Sequence, residues 1–442
     1  MSIHWRYSLR TVFYFVLVGC ISLLLGCGEE AEEQAPEPTL SFQLLMQDVL
    51  VASDLWTQTP QMLSAGYGFD NILGIPNGDQ EAAVRAAGGA WNNVTCTNGS
   101  EPPPSALTSA TTPAVMAFGF GFPITFGDGL PVVFSWPVLP STVQPTDFEV
   151  VLNTGDIVHP EVASLMPNYE YNERNTIVLS SPTFGNRKAS SEAGAVYPVE
   201  VRIVEDDTPM MLVGPHGPVR AVGLSQQSSN AYDPVKGPFL VGAKLTRMST
   251  EGEGWPILFG AQMPNDGRTL YGDQAQYRLR ILTSGGFSPD GVRAVLPTEF
   301  SRYFRLHVAL SSGETMLLTQ PGLTYSIDGA NLRIVGLADL GQVKSFDDKG
   351  NPVVVYDDCY DEDSDNYIDI ILAGDEAAVR RITHVEIPAQ GNYAPFYNPG
   401  GPGNNPTPGV TYTQPGPPDL EPVHMALDDP MTVTYIDPNA SR

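Results

Sequence analysis

Short apolar segments broken by turn residues constrain this chain most. Residues 132–152 run from Val132-Val-Phe-Ser-Trp136 to Phe148-Glu-Val-Val-Leu152 and end at the turn Asn153-Thr-Gly-Asp156. Thr176-Ile-Val-Leu179 and Tyr197-Pro-Val-Glu-Val-Arg-Ile-Val204 follow, each alternating or compactly apolar, the pattern of half-buried strands. Gly (43) and Pro (40) together make up about 19% of the 442 residues, above average usage but below the level that signals disorder. With 18 Tyr and 18 Phe, the chain reads as a mainly β protein rich in turns.

Helix signals sit towards the ends. Residues 41–56 carry Leu45, Val49 and Leu50 behind a possible Ser41 cap, which predicts a helix. Residues 79–87 predict a second, stopped by Gly88-Gly89, and residues 375–382 a third. Gly391 to Gly409 is a Gly/Pro/Asn-rich loop, and Met431-Thr-Val-Thr-Tyr-Ile436 reads as a closing strand. The expected organisation is 1–26 signal peptide, 27–39 acidic tether, 40–115 a small mixed α region and 116–215 a β-sandwich. A second β domain over 216–345 and a loop-rich C-terminal region over 346–442 complete it.

Two resemblances sharpen this. Phe134-Ser-Trp-Pro-Val138 followed by Pro140-Ser-Thr-Val-Gln-Pro-Thr-Asp-Phe148 resembles the opening of bacterial Ig-like domains, which occur in secreted and surface proteins. It covers about residues 120–206 and implies an Ig-like β-sandwich without naming a function. Leu296-Pro-Thr-Glu-Phe-Ser-Arg-Tyr-Phe-Arg-Leu-His-Val308 echoes Gln144-Pro-Thr-Asp-Phe-Glu-Val-Val-Leu152, and each precedes a Gly-acid turn, Thr154-Gly-Asp156 or Ser312-Gly-Glu314. Either a second related sandwich occupies about 235–345, or two short strands coincide.

At the N-terminus, Arg6 and Arg10 precede an apolar run over 11–26, then Leu24-Leu25-Gly26-Cys27. A basic start, a short greasy core and small residues before the cut describe a secretory signal. The last four residues resemble the lipobox of bacterial lipoproteins, in which the cysteine is freed and acylated. Leu17-Val18-Gly19-Cys20 competes, but cleavage there leaves a greasy stub, whereas cleavage before Cys27 leaves an acidic, Pro-spaced tether. In that family an aspartate after the cysteine retains the protein at the inner membrane. Gly28 stands there, which implies the outer membrane or cell surface. In such an oxidising compartment Cys96 and Cys359 are expected to pair in a disulfide, the alternative being two buried thiols.

Charge narrows the partners. The net charge of −27 becomes −29 once Arg6 and Arg10 leave with the signal. Nucleic-acid binding depends on Lys and Arg at phosphates, so it is excluded as a function class. A peripheral hold on anionic lipid is equally disfavoured, leaving the N-terminal lipid to hold the membrane.

The strongest candidate site is Asp357-Asp-Cys-Tyr-Asp-Glu-Asp-Ser-Asp-Asn-Tyr-Ile-Asp369. Asp361, Asp363 and Asp365 take positions 1, 3 and 5 of a pattern resembling an EF-hand loop, with the Tyr367 carbonyl and Asp369 following. Carboxylates so spaced converge on one hard cation, so structural calcium is expected. The pattern departs at position 12, where Leu372 replaces the bidentate Glu, and Asp375, Glu376, Asp357 or Asp358 would complete the shell. The alternative is a solvated acidic loop.

His159-Pro-Glu161 and His384-Val-Glu386 place a His and a Glu on one strand face, a metal or acid–base pair or simply a polar face. Trp91, Trp136 and Trp255 with Tyr393, Phe396 and Tyr397 could stack sugars or pack under the Pro-rich loop. No G-x-S-x-G, Walker, H-E-x-x-H or C-x-x-C-H motif occurs. The reading is a lipid-anchored, non-catalytic binding, adhesion or scaffolding protein, its surface polymer or protein partner unnamed. The alternatives are a hydrolase or lyase on extracellular polysaccharide and a metal-handling protein using His384, His424 and Met425.

Overall fold

Strand pairing repeats along the chain. The computed structural model describes residues 40–436 apart from 98, 169, 231, 234–237, 250–265, 287, 289–291, 293–294, 343–344, 347–351, 354–358, 360, 363–365 and 389–417. The chain is mainly β, with 39% strand against 14% helix, as the turn-broken apolar segments predict. In the first half, Met62–Gly66 pairs with Gly127–Phe134, that with Thr176–Ser181, and that with Val162–Ser164. A second run goes Ile157–Val158, Phe148–Leu152, Pro198–Ile203, Ser225–Ser229. All these pairs are antiparallel. Ser228 and Ser229 then join the two runs by pairing parallel with Ala65 and Gly66.

The second half repeats the scheme. Leu240–Arg247, Tyr277–Thr283, Tyr367–Gly374 and Ala330–Ala338 form one antiparallel run. Thr315–Leu318, Arg305–Ala309, Ile382–Ile387 and Asp419–Pro422 form the other. His424–Met425 joins them by pairing parallel with Lys244 and Leu245. Thr324–Ile327 is an added edge strand.

The echo seen in sequence extends to hydrogen bonds. In one hairpin Leu152 N–H donates to the Asp156 carbonyl and Gly155 N–H to the Leu152 carbonyl. In the other, Leu310 donates to Glu314 and Gly313 to Leu310 in the same way. Gly155 and Gly313 adopt φ of 89° and 87°, which only glycine takes without strain. Upstream, the Asp147 carboxylate accepts the Gln144 N–H at 2.6 Å, and the Glu299 carboxylate accepts the Leu296 N–H at 2.9 Å.

The paired units run over residues 62–229 and 240–425, so that the boundaries expected at residues 116 and 216 lie within the first and that at residue 346 within the second. Long inserts explain the offset. Residues 67–126 separate the first two strands of the first unit, and residues 339–366 interrupt the second. Cys96 in one insert is disulfide-bonded to Cys359 in the other, 263 residues away. The helix Pro104–Leu107 lies against Asp361–Glu362 beside that link.

The predicted helix over 41–56 is corrected. The helix spans Leu40–Leu45, and Val49–Asp54 is a strand pairing antiparallel with Thr432–Ile436. The β-branched Val49 and Val51 favour that pairing, which ties the two ends of the described chain together. The two other predicted helices form as Glu81–Ala86 and Glu376–Val379.

Each unit has its own core, one containing Phe134, Phe148 and Ile177, the other Leu279, Phe304 and Ile370. Trp56, Val133, Leu282 and Tyr367 form a smaller apolar cluster between them. Residues from Pro38 onward make one compact unit. Among the described residues no helix is long and apolar enough to cross a membrane.

Candidate functional site

Alternation along Tyr277–Thr283 creates the most heavily charged part of the interior. Leu279 and Ile281 enter the second core, so Arg278 and Arg280 point to the other face. On the neighbouring strands Lys244 and Asp369 lie directly opposite Arg280 and share that face. The first unit supplies Glu173, and the paired terminal strands supply Asp54.

Arg280 reaches four carboxylates. Nε donates to Asp369 at 2.8 Å, Nη1 lies 3.0 Å from Glu173 and 3.5 Å from Asp54, and Nη2 pairs with Asp339. Lys244 pairs with Asp54 and donates to the carbonyls of Pro430 at 2.9 Å and Met431 at 3.0 Å. Burial pushes the Asp54 carboxyl up, but Lys244, Arg278 and Arg280 outweigh it and hold the group below its ordinary range. Burial likewise lowers Lys244, and Asp54 opposes that shift.

Glu170, Glu173 and Asp339 bring carboxylate oxygens within 4.8 Å of one another. Two of them pair with Arg280, so the guanidinium supplies positive charge to this group. Chemically this is a seam that fixes two units against each other. Within it the Arg280 Nε–Asp369 contact at 2.8 Å is a charge-assisted hydrogen bond, while Arg280 Nη1 stands at ion-pair range from Asp54, 3.5 Å away.

The expected calcium positions divide. Asp363 and Asp365 lie outside the described residues, as do Asp357 and Asp358. Asp361 belongs to the two-residue strand Asp361–Glu362. Asp369 is paired with Arg280. Tyr367 is buried, and its hydroxyl donates to Asn175 Oδ1 at 3.1 Å. Asn366 Oδ1 accepts from Asn168 at 2.9 Å and Thr176 at 3.0 Å. Asp375 accepts the Asn331 N–H, and Glu376 pairs with Arg247 and Arg380.

The histidines gain a partner. His384 lies directly opposite His307 on the neighbouring strand, with ring centroids 6.1 Å apart. His307 Nε2 lies 2.5 Å from Glu386 Oε2, and Arg305 Nη1 lies 3.5 Å from Glu386 Oε1. The corresponding cross-strand pair in the first unit is Glu149 opposite Arg202. His159 Nδ1 contacts the Phe148 carbonyl at 2.8 Å, a local tie. His424 is exposed and Met425 half-buried on the joining strand.

The aromatic platform is not assembled by the described residues. Trp136 is buried beneath Gly214 and donates from Nε1 to the Thr57 carbonyl at 2.9 Å, which makes it a core residue. Trp91 is half-buried, while Trp255, Tyr393, Phe396 and Tyr397 lie outside the described residues, as does Cys27.

Sequence reasoning missed Arg280, Lys244, Glu173, Asp54 and His307. One signal was available: Arg278-Leu-Arg280-Ile places charges on a strand otherwise apolar enough for the interior. No family model, curated protein or solved structure matches the chain.

Proposed function

We propose that this chain is an exported, lipid-anchored protein, acylated at Cys27, that serves as a non-catalytic binding or scaffolding body at the cell surface or in the periplasm. The Cys96–Cys359 disulfide carries the reading, because such bonds persist in oxidising compartments. The lipobox-like Leu24-Leu25-Gly26-Cys27 agrees with it. Each unit is read as an Ig-like sandwich. Two antiparallel runs joined by one parallel contact, with the same order in both units, support this. The buried charges are used on each other, which favours a rigid scaffold over an acid-catalysed hydrolase. Calcium belongs to the proposal at Asp361, Asp363 and Asp365, with Asp357 or Asp358 in place of Asp369. The test is fractionation of expressing cells. The chain should float with outer membranes and lose that association when Cys27→Ser is introduced, and a wild-type chain found free in the periplasm contradicts it.

A second reading, handling of a borderline metal ion, is favoured by His307 lying opposite His384 and against the buried Glu386 across one strand pair. Calorimetric titration with Zn2+ tests it: binding should vanish in His307→Ala and in His384→Ala.

A further inference from the structure

Residues 102–127 contain no charged residue, nor do residues 38–47, in a chain where 17% of residues are charged. The two segments meet. The helix Leu40–Leu45 packs against the helix Pro113–Phe120, and a Cβ on Gly121 would stand 3.0 Å from the Phe42 ring. Thr112 caps the longer helix by accepting the Val115 N–H, and Gly121 ends it at φ 83°. Met116 and Phe120 face inward with Ile124. Val115 and Phe118 are left outside, followed by Phe122 and Phe126 on the connecting loop. Their exposures are 46%, 47%, 37% and 40%, and Leu40 is 70% exposed. Large apolar side chains crowded on an uncharged surface mark an interaction site.

The position of Leu40 says what covers it. Leu40 is where the body begins, and Cys27 lies thirteen residues before it, a reach of at most about 45 Å. An acyl group on Cys27 would therefore hold the bilayer within a short reach of this surface. We infer that Leu40, Val115, Phe118 and Phe122 form a membrane-facing patch that seats in the interface of a mainly zwitterionic phospholipid bilayer. The inference rests on the lipid-anchor reading of Cys27 and adds how the body lies on the membrane. The chain's negative charge, with Glu29, Glu30, Glu32, Glu33 and Glu37 in the tether, excludes electrostatic attraction to anionic lipid as the driving force. Aromatic rings at the acyl boundary supply it instead, as they do for interfacial helices.

The test places an environment-sensitive fluorophore on the mature chain through Phe122→Cys or, as a control, Ser312→Cys in the exposed hairpin of the second unit. With Cys96 and Cys359 bonded and Cys27 acylated, the new thiol is the only free one. Each protein is purified from membranes and placed in phosphatidylcholine–phosphatidylethanolamine vesicles carrying nitroxide-labelled lipid. N-terminal mass is read in parallel. The probe at 122 should shift to the blue and be quenched by the nitroxide, at low and high salt alike, while the probe at 312 should not. For unacylated chain, Phe118→Ser with Phe122→Ser should reduce vesicle partitioning roughly tenfold. An acylated chain whose 122 probe stays as wet as the 312 probe overturns the patch and leaves the anchor standing. A chain that lacks the acyl group and ignores vesicles overturns both. A blue shift at 122 that grows with protein concentration in the absence of vesicles assigns the patch to a second copy of the chain, and also overturns the inference.

Discussion

Arg280 donates from Nε to the Asp369 carboxylate at 2.8 Å across two neighbouring strands, and neither side chain is more than 2% exposed. The same guanidinium meets Glu173 of the first unit, so one side chain ties together strands that belong to two cores. Burying so many ions is expensive, and the cost is recovered only when every partner is present.

Removing the centre of this seam should be severe. Arg280→Met removes the cation that Glu173, Asp339 and Asp369 share, leaves only Arg278 at 3.9 Å beside Asp369, and should cost about 3–5 kcal/mol of unfolding free energy. Arg280→Lys should rescue little, because an ammonium cannot span the fork-shaped set of contacts. Denaturant unfolding checks both, and a loss under about 1 kcal/mol for Arg280→Met would contradict the role given to it.

The disulfide acts on the unfolded chain. Closing a loop of 263 residues removes entropy from the denatured state, worth roughly 5.5 kcal/mol in the chain-entropy model. The double variant Cys96→Ser, Cys359→Ser should therefore melt well below the wild type. Reduction should do the same, and equal melting curves with and without reductant would count against it.

Much of the fold was legible because strand alternation and turn chemistry are local. Leu152-Asn-Thr-Gly-Asp156 and Leu310-Ser-Ser-Gly-Glu314 advertised the repeat, since a Gly with positive φ must sit at the same place in each hairpin. The strand Val49–Asp54 was misread as helix because Leu45, Val49 and Leu50 fit a helical spacing, and only pairing with Thr432–Ile436, nearly four hundred residues away, decides against it. The charged seam was illegible for the same reason. Asp369 looks like a calcium ligand beside Asp361, Asp363 and Asp365, and nothing local reveals that Arg280 occupies it. His384 and Glu386 were visible as a pair, but His307 comes from another strand.

Acidity should stabilise this protein. Burial and the neighbouring Asp70 push the Asp128 carboxyl up to about 8, against three backbone N–H donors. Burial raises Glu421 to about 7, with Asp419 adding to it, and raises Asp147 to about 6. Each binds a proton in the folded chain at a pH where the unfolded chain has lost it. Their contribution is therefore full below about pH 4 and is lost as pH rises through 6 to 8. Asp54, held low, works the opposite way at the acid end. Melting temperature measured from pH 4 to 9 should peak on the acid side of neutrality, and Glu421→Gln should flatten the fall near pH 7. A steady rise towards pH 8 would refute this.

Chelation tests the acidic loop apart from the seam. EGTA should lower the melting temperature of the wild type, and Asp361→Asn with Asp363→Asn should abolish that response. Asp369→Asn should destabilise with or without EGTA, because its partner is Arg280. An unchanged melting curve on chelation removes calcium from the account.

The central claim, that this body is exported and held by lipid at Cys27, is tested most directly by the intact mass of the N-terminal peptide from membrane-purified protein. The account predicts a mature chain beginning at Cys27 with diacylglyceryl and acyl groups attached. A chain beginning at Met1, or at any residue other than Cys27, or an unmodified Cys27, would contradict it.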